Sequence, residues 1–422
     1  MYFFSSASSD APKLTNTYGD FNNIINYIID GGNLYNIVKI EPRSDKTVKI
    51  YFDETLLGCP WVEFQTITVT NSTTYNLDFF IESINVIEKY MIVYNASIIF
   101  STSLLEQSTD TTIIQARMKP CGVTRIFGGI DAKRTIIKFT DTVQFRIDDR
   151  DFGPLLSTPI VTNNNWAKTA RVSMSESYDT LDYTTGRIWP YNYTRPNENF
   201  LPAGNYIGQA HIFYNAIGGA TQHLIEGVNN GAGGQYRVWA SDKCIYIQLI
   251  SSTSINGSQS RFYVIGGFDA VDKSKVNGLI ISSRLNGDQP YTITGTYMRT
   301  SIANEAPSFL NTRSTAYSHC VVFNNSYDKE IDFYIMGSFA LGGTAPSGNA
   351  GIPRPNLTDG GTYISDTIIY SSSSDYIGSL YDVKWINCSY VETAGTIAVF
   401  ENTLYMNVFS NGSYSLIKLD RP

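Results

Sequence analysis

Between residues 21 and 29 the apolar positions Phe21, Ile24, Ile25, Ile28 and Ile29 recur at i, i+3, i+4, i+7 and i+8. That spacing puts them on a single helical face and predicts an amphipathic helix. Asp20 stands where a capping side chain is expected, and Gly31-Gly32 provides a left-handed stop. The face made by Phe21, Ile24, Ile25 and Ile28 can pack on this chain's own sheet or meet a neighbouring subunit. Because the helix follows an extended, Ser-rich start, those four residues are the candidate assembly contacts.

After the helix the pattern changes to period two. Short alternating runs at Asn36–Glu41, Thr47–Phe52, Phe64–Thr70, Leu77–Ile81, Thr112–Arg117, Thr135–Phe139, Val143–Ile147 and Arg171–Met174 predict strands. Lys89–Phe100 could supply two more. Further runs at His211–Tyr214, Tyr236–Ala240, Lys243–Ile250, Arg261–Gly266, Leu279–Ser283, Tyr291–Tyr297, Cys320–Phe323, Ile331–Met336, Tyr363–Tyr370, Leu380–Ile386 and Thr396–Phe400 continue it. Thr403–Phe409 and Tyr414–Leu419 bracket Asn411-Gly412, a strong hairpin signal. The expected fold is all-β, mainly antiparallel sandwich-like or barrel-like sheets, with one short N-terminal amphipathic helix.

The Asp- and Pro-dense stretch from Asp148 to Pro159 suggests a boundary. It gives a helix-plus-β domain over 1–150 and a larger β domain over 151–422, with a sub-boundary near 285–310. No fixed-period repeat appears.

Composition sharpens this picture. Charged residues are only 16% of the 422, against a typical share near ~25%, and Tyr (29) and Phe (22) are abundant. Strand-forming aromatics with turn-forming Ser, Asn and Gly fill the deficit. The net charge is −7 with no Lys/Arg-rich run, so direct nucleic-acid binding is not expected. The opening residues lack a signal-peptide pattern, and no run reaches about 18 apolar residues, so no membrane span is expected. Cys59, Cys121, Cys244, Cys320 and Cys388 are odd in number, scattered and without a CxxC pair. They read as reduced, mostly buried thiols of a protein made in a cytoplasm.

Candidate chemistry is sparse. His211, His223 and His319 are the three histidines, and no HxH, HExxH or GxSxG spacing occurs. His319 and Cys320 are sequence neighbours, which on a strand face opposite sides and cannot pair as base and nucleophile. The Gly-rich pieces do not open a helix in the phosphate-binding manner. Trp189-Pro190-Tyr191-Asn192-Tyr193 either pins a loop to the core or stacks on sugars. The acidic cluster Asp148, Asp149 and Asp151, flanked by Arg146 and Arg150, is the sharpest feature. It fits a structural turn with local ion pairs, a hard-cation site, or a general acid–base pair. The expectation is therefore no enzyme, no catalytic residue, no cofactor and no metal.

Several segments, in order, resemble a family of tailed-bacteriophage virion structural proteins. Phe3-Phe4-Ser5-Ser6, Asp10-Ala11-Pro12-Lys13-Leu14, Thr17-Tyr18-Gly19 and Asp30-Gly31-Gly32 resemble that family's aromatic–Ser/Asn start, "GAP-x-L" element, "GTAG" turn and helix closed by "DGF" or "NGF". Asp10 replaces the first Gly of the second element, and Asn33 replaces the aromatic after Gly32. Phe145-Arg146-Ile147-Asp148-Asp149 is similar to its "LRVDD" strand, and Ala170-Arg171-Val172 with Ser175-Glu176-Ser177-Tyr178 to its "ARV…YE-x-M" segment. Gly186-Arg187-Ile188-Trp189-Pro190 and Arg261-Phe262-Tyr263-Val264-Ile265-Gly266 resemble its "G-x-x-P" and "FYxFGD" segments. The resemblance implies a virion component, made in the host cytoplasm and working through copies of itself and other virion proteins. Its place would be the neck or connector, tail, baseplate or capsid surface. A receptor-binding protein for host surface glycan or protein is the alternative. A glycan depolymerase using paired carboxylates is the third reading.

Overall fold

The structure, a computed structural model, describes residues 1–15, 17–53, 58–99, 104–151, 167–182, 184, 188–189, 210–216, 234–250, 261–271, 273, 276–281, 283–284, 320–323, 333–337, 364–371, 376–386, 395–410 and 413–422. It is an antiparallel all-β protein with one described helix, α1, over Asp20–Asp30.

Six strands close into a barrel. Around its wall the order is Thr47–Phe52, Tyr90–Tyr94, Asp78–Asn85, Thr66–Thr70, Ile114–Met118 and Tyr35–Ser44, and the last pairs back to the first. The period-two pattern dictates the inside: Ile37, Ile40, Val48, Ile50, Ile67, Val69, Met91, Val93, Ile114 and Ala116 are all buried. Closure leaves the wall with no open edge of its own, which is how small barrels avoid exposing backbone donors. One described strand, Tyr90–Tyr94, lies within Lys89–Phe100 where two were possible.

A second sheet runs Thr124–Gly129, Arg134–Lys138, Gln144–Asp148, Ala167–Ser175, Ala210–Ala216 and Ser283–Arg284, with Ile188–Trp189 added beside Ala167–Ser175. A third begins with Tyr2–Ser5 and Gln235–Ala240 and ends with Ser413–Lys418, Thr403–Ser410 and Ile397–Phe400. Thr403–Ser410 and Ser413–Lys418 pair with Ser410 opposite Ser413, as the hairpin reading required; Asn411-Gly412 themselves lie outside the described residues. So do Tyr291–Tyr297 and the expected sub-boundary near 285–310.

Three expectations need correction. A boundary at residue 150 would cut a sheet in two, because Gln144–Asp148 pairs residue for residue with Arg171–Ser175. The N-terminal start is not a free arm either: Tyr2–Ser5 pairs with Arg237–Ala240, and Leu14 bridges Gly234. Its partner was invisible in sequence because it lies more than two hundred residues away.

The third correction concerns α1. Phe21, Ile24, Ile25 and Ile28, the candidate assembly contacts, are buried in this chain's own main core. The opposite, polar side is buried as well. Asn22 and Asn26 are fully covered, with the Asn22 side-chain amide donating to Gly129 O (2.9 Å) and that of Asn26 to Thr135 Oγ1 (3.1 Å). The face named as an assembly contact therefore lies inside this chain's own core, and only Asp20, Asn23 and Asp30 of the helix reach the surface. Gly31 ends it as expected, at φ 80° with its N–H on Tyr27 O, and a Cβ there would stand 2.2 Å from Met118 O.

Candidate functional site

The Asp148–Asp151 turn is built where the strand Gln144–Asp148 leaves the second sheet. Asp148 and Asp149 are both fully buried. Burying two adjacent carboxylates is costly unless each finds donors, and each does so with a different set.

Asp149 reaches back to the start of α1. Its Oδ2 accepts the backbone N–H groups of Gly19 (2.9 Å), Phe21 (2.9 Å) and Asn22 (3.2 Å). These are orphan donors of a helix N-terminus, and a carboxylate there is also favoured by the helix dipole. The helix therefore takes its cap from a residue 127 to 130 positions away. Asp20, expected as the cap, is the first helical residue instead, and its carboxylate accepts the Thr15 N–H (2.6 Å). The position before it, Gly19, has a left-handed backbone (φ 108°) and no side chain to cap with.

Asp148 turns to the other face of the sheet. Arg150 grips it with Nε to Oδ1 (2.9 Å) and Nη2 to Oδ2 (2.7 Å), and Arg150 also meets Asp182 (3.3 Å). This hydrogen bonding to Asp148 holds the Arg150 guanidinium above its ordinary pKa. Arg134 adds a second contact to Asp182. Asp151 is exposed.

The same face carries a buried polar layer. Arg146, nearly inaccessible, donates from Nη1 to Leu181 O (3.0 Å) and lies over the Tyr178 ring (5.4 Å). Burial pushes its guanidinium down to about 10. Tyr178 is hydrogen-bonded to the Ser173 hydroxyl (2.7 Å), its backbone N–H donates to Gln144 Oε1 (2.8 Å), and burial pushes its phenol up to about 12. Arg171, also buried, stands opposite Asp148 in the strand register. The segment 176–182 thus closes over the sheet through Tyr178, Leu181 and Asp182.

These contacts bring together residues that the sequence presented as separate motifs. Gly19 and the start of α1 meet Asp149, Arg171-Val172 pair with Ile147-Asp148, and Asp10 accepts the Tyr27 hydroxyl (2.8 Å) near the helix stop. Chemically the turn is a clasp: it ties α1 to the second sheet and that sheet to the segment above it. The sequence reading missed Asp149 as a cap: with Asp20 at hand beside the helix start, nothing local pointed to an acceptor more than a hundred residues away.

The other candidates are dispersed. Cys121 and Cys244 are buried free thiols and Cys59 a half-buried one; burial pushes Cys59 up to about 11 and the other two to about 12. The side chains of His211, His223, His319, Cys320 and Cys388 lie outside the described residues, as does 190–193 of the aromatic segment. Among the described residues no group of three or more His, Cys, Asp or Glu is arranged to hold a metal ion, and no helix is long and apolar enough to cross a membrane. Compared with known proteins, the sequence matches no family model and no curated protein.

Proposed function

We propose that this chain is a non-enzymatic structural component of a tailed-bacteriophage virion. It forms subunit contacts in the neck or connector, tail or baseplate, or decorates the capsid, through repeated copies. The observation that supports this reading most is the fate of the acidic cluster. Asp149 is engaged by three backbone donors and Asp148 by a two-point arginine contact, both fully buried. A general acid–base pair needs carboxylates that reach substrate and exchange protons with it. These two are spent on holding the fold.

The resemblance in the N-terminal segments and around Asp148-Asp149 supplies the virion context. The closed barrel and extended antiparallel sheets suit a load-bearing subunit. The test is direct: purify particles from cells expressing the chain, identify it by mass spectrometry in the particle fraction, and locate it by cryo-electron microscopy. A symmetric density that fits the barrel and second sheet supports the reading. Absence from purified particles, or polysaccharide cleavage abolished by Asp148→Asn or Asp149→Asn in a folded variant, overturns it.

A further inference from the structure

The outer face of the barrel carries a cross-strand ladder in which each tyrosine ring is covered by a cation. Lys39 Nζ lies 4.0 Å from the Tyr51 ring centroid, Lys49 Nζ 4.4 Å from that of Tyr90, and the Arg421 guanidinium 3.7 Å from that of Tyr94. Strand register explains the rows: Lys39 is opposite Tyr51, and Tyr51 opposite Tyr90, so all three project from the wall on one side. The Tyr51 and Tyr90 rings are 5.5 Å apart and tilted by 52°. Glu41 accepts from both Lys39 (3.3 Å) and the Tyr51 hydroxyl (3.0 Å).

Two features point to an acidic partner. The cations already sit over the rings, so a flat sugar could stack only by displacing them, whereas an acidic group can land on Lys49 as it stands, beside the Lys39–Glu41 and Arg421–Glu82 pairs. The charge of this face also runs against that of the chain. Segments 35–52 and 88–90 hold five Lys/Arg and three Asp/Glu, while the whole protein is at −7. Lys49 makes no ion pair among the described residues.

The same molecule presents the complement. The segment from Glu176 to Asp182 holds three carboxylates and no Lys or Arg; Asp182 is taken by Arg134 and Arg150, and Glu176 and Asp179 are exposed beside it. A cationic face placed against its own copy about a two-fold axis would repel itself. Cationic face on acidic loop joins two different patches, either reciprocally about a two-fold axis or head to tail, where the contact closes into a ring when the rotation allows.

We infer that the Lys39–Tyr51–Lys49–Tyr90 face of the barrel docks on the Glu176–Asp182 loop of a second copy of this chain. The inference rests on the multi-copy reading above and names the contact that would hold the copies together.

Charge exchange in the full chain tests it. The purified protein self-associates by sedimentation velocity, and raising salt from about 0.1 M to about 1 M, which shortens the Debye length from about 10 Å to about 3 Å, weakens the association. Lys39→Glu/Lys49→Glu and Glu176→Lys/Asp179→Lys each weaken it by about tenfold or more, and mixing the two variants restores it. Lys138→Glu/Lys273→Glu, two exposed lysines elsewhere, leaves it unchanged. Thermal unfolding checks that each variant folds; should a reversal unfold the chain, Lys39→Gln/Lys49→Gln replaces it. A monomer at all concentrations overturns the inference, as does association indifferent to these variants. Retention on an acidic polysaccharide, lost with Lys39→Glu/Lys49→Glu in a chain that stays monomeric, also overturns it and makes the face a glycan site. All three leave presence in the particle as a separate question.

Discussion

Removing the Asp149 carboxylate tests the clasp most sharply. Asp149→Ala leaves the N–H groups of Gly19, Phe21 and Asn22 without their acceptor inside a closed interior. A hydrogen bond to a charged group contributes about 1.5–3 kcal/mol net, and loss of a helix cap costs about 0.5–2 kcal/mol. One oxygen serves all three donors, so these figures do not add in full, and the unfolded chain regains hydration of the carboxylate. The expected loss is about 2–4 kcal/mol, because buried donors lose a charged acceptor while no uncompensated charge is left behind. Asp149→Asn keeps an acceptor oxygen but loses the charge and brings an amide that needs its own partner, so it should cost less, about 1–3 kcal/mol. Urea unfolding followed by tryptophan fluorescence reports both, since Trp61 and Trp239 are buried. Hydrogen exchange at Phe21 and Asn22 localises the effect, and their protection should fall in the alanine variant first. An alanine variant within about 0.5 kcal/mol of the parent, the usual scatter of a surface change, would refute the reasoning.

Phe21→Ala empties a fully buried site and should cost about 3–5 kcal/mol by chemical denaturation; intact stability with lost particle incorporation would return the helix to an assembly role. At Glu106, burial works to raise the pKa, but donors from Ser72, Thr73 and Thr74 hold the carboxylate below its ordinary 4.5. Its folded pKa is depressed, so its contribution is full above 4.5 and is lost as pH falls through the folded value. Glu106→Gln should therefore destabilise at neutral pH, with the gap to the parent closing below 4.5; a gap constant across a pH series of unfolding curves refutes this. Peptides carrying Cys121 and Cys244 should resist alkylation in the native state at neutral pH and label fully in denaturant, read by mass spectrometry. Rapid native labelling would mean that the surrounding sheet opens far more readily than its burial implies.

Period-two alternation at Thr47–Phe52 or Lys243–Ile250, and the i, i+3, i+4 spacing in α1, were readable because each is a property of neighbours in the chain. They determined the all-β class, the one described helix, its Gly31 stop and which residues face inward. Nothing local distinguishes a helix face that meets a second copy from one that meets its own sheet, and only packing decided that Phe21, Ile24, Ile25 and Ile28 are core. The barrel depends on Tyr35–Ser44 pairing with both Thr47–Phe52 and Ile114–Met118, the second of which lies about eighty residues away. The N-terminal strand depends on a partner more distant still. Pairing over such distances is set by how complete surfaces fit, because backbone hydrogen bonds carry no sequence label. Asp148 and Asp149 make the same point within the site. As adjacent letters they look like a catalytic pair; folded, one caps a helix that begins near residue 20 and the other holds an arginine two residues on. Residue types limited what that turn could do, and tertiary structure chose which donors reached it.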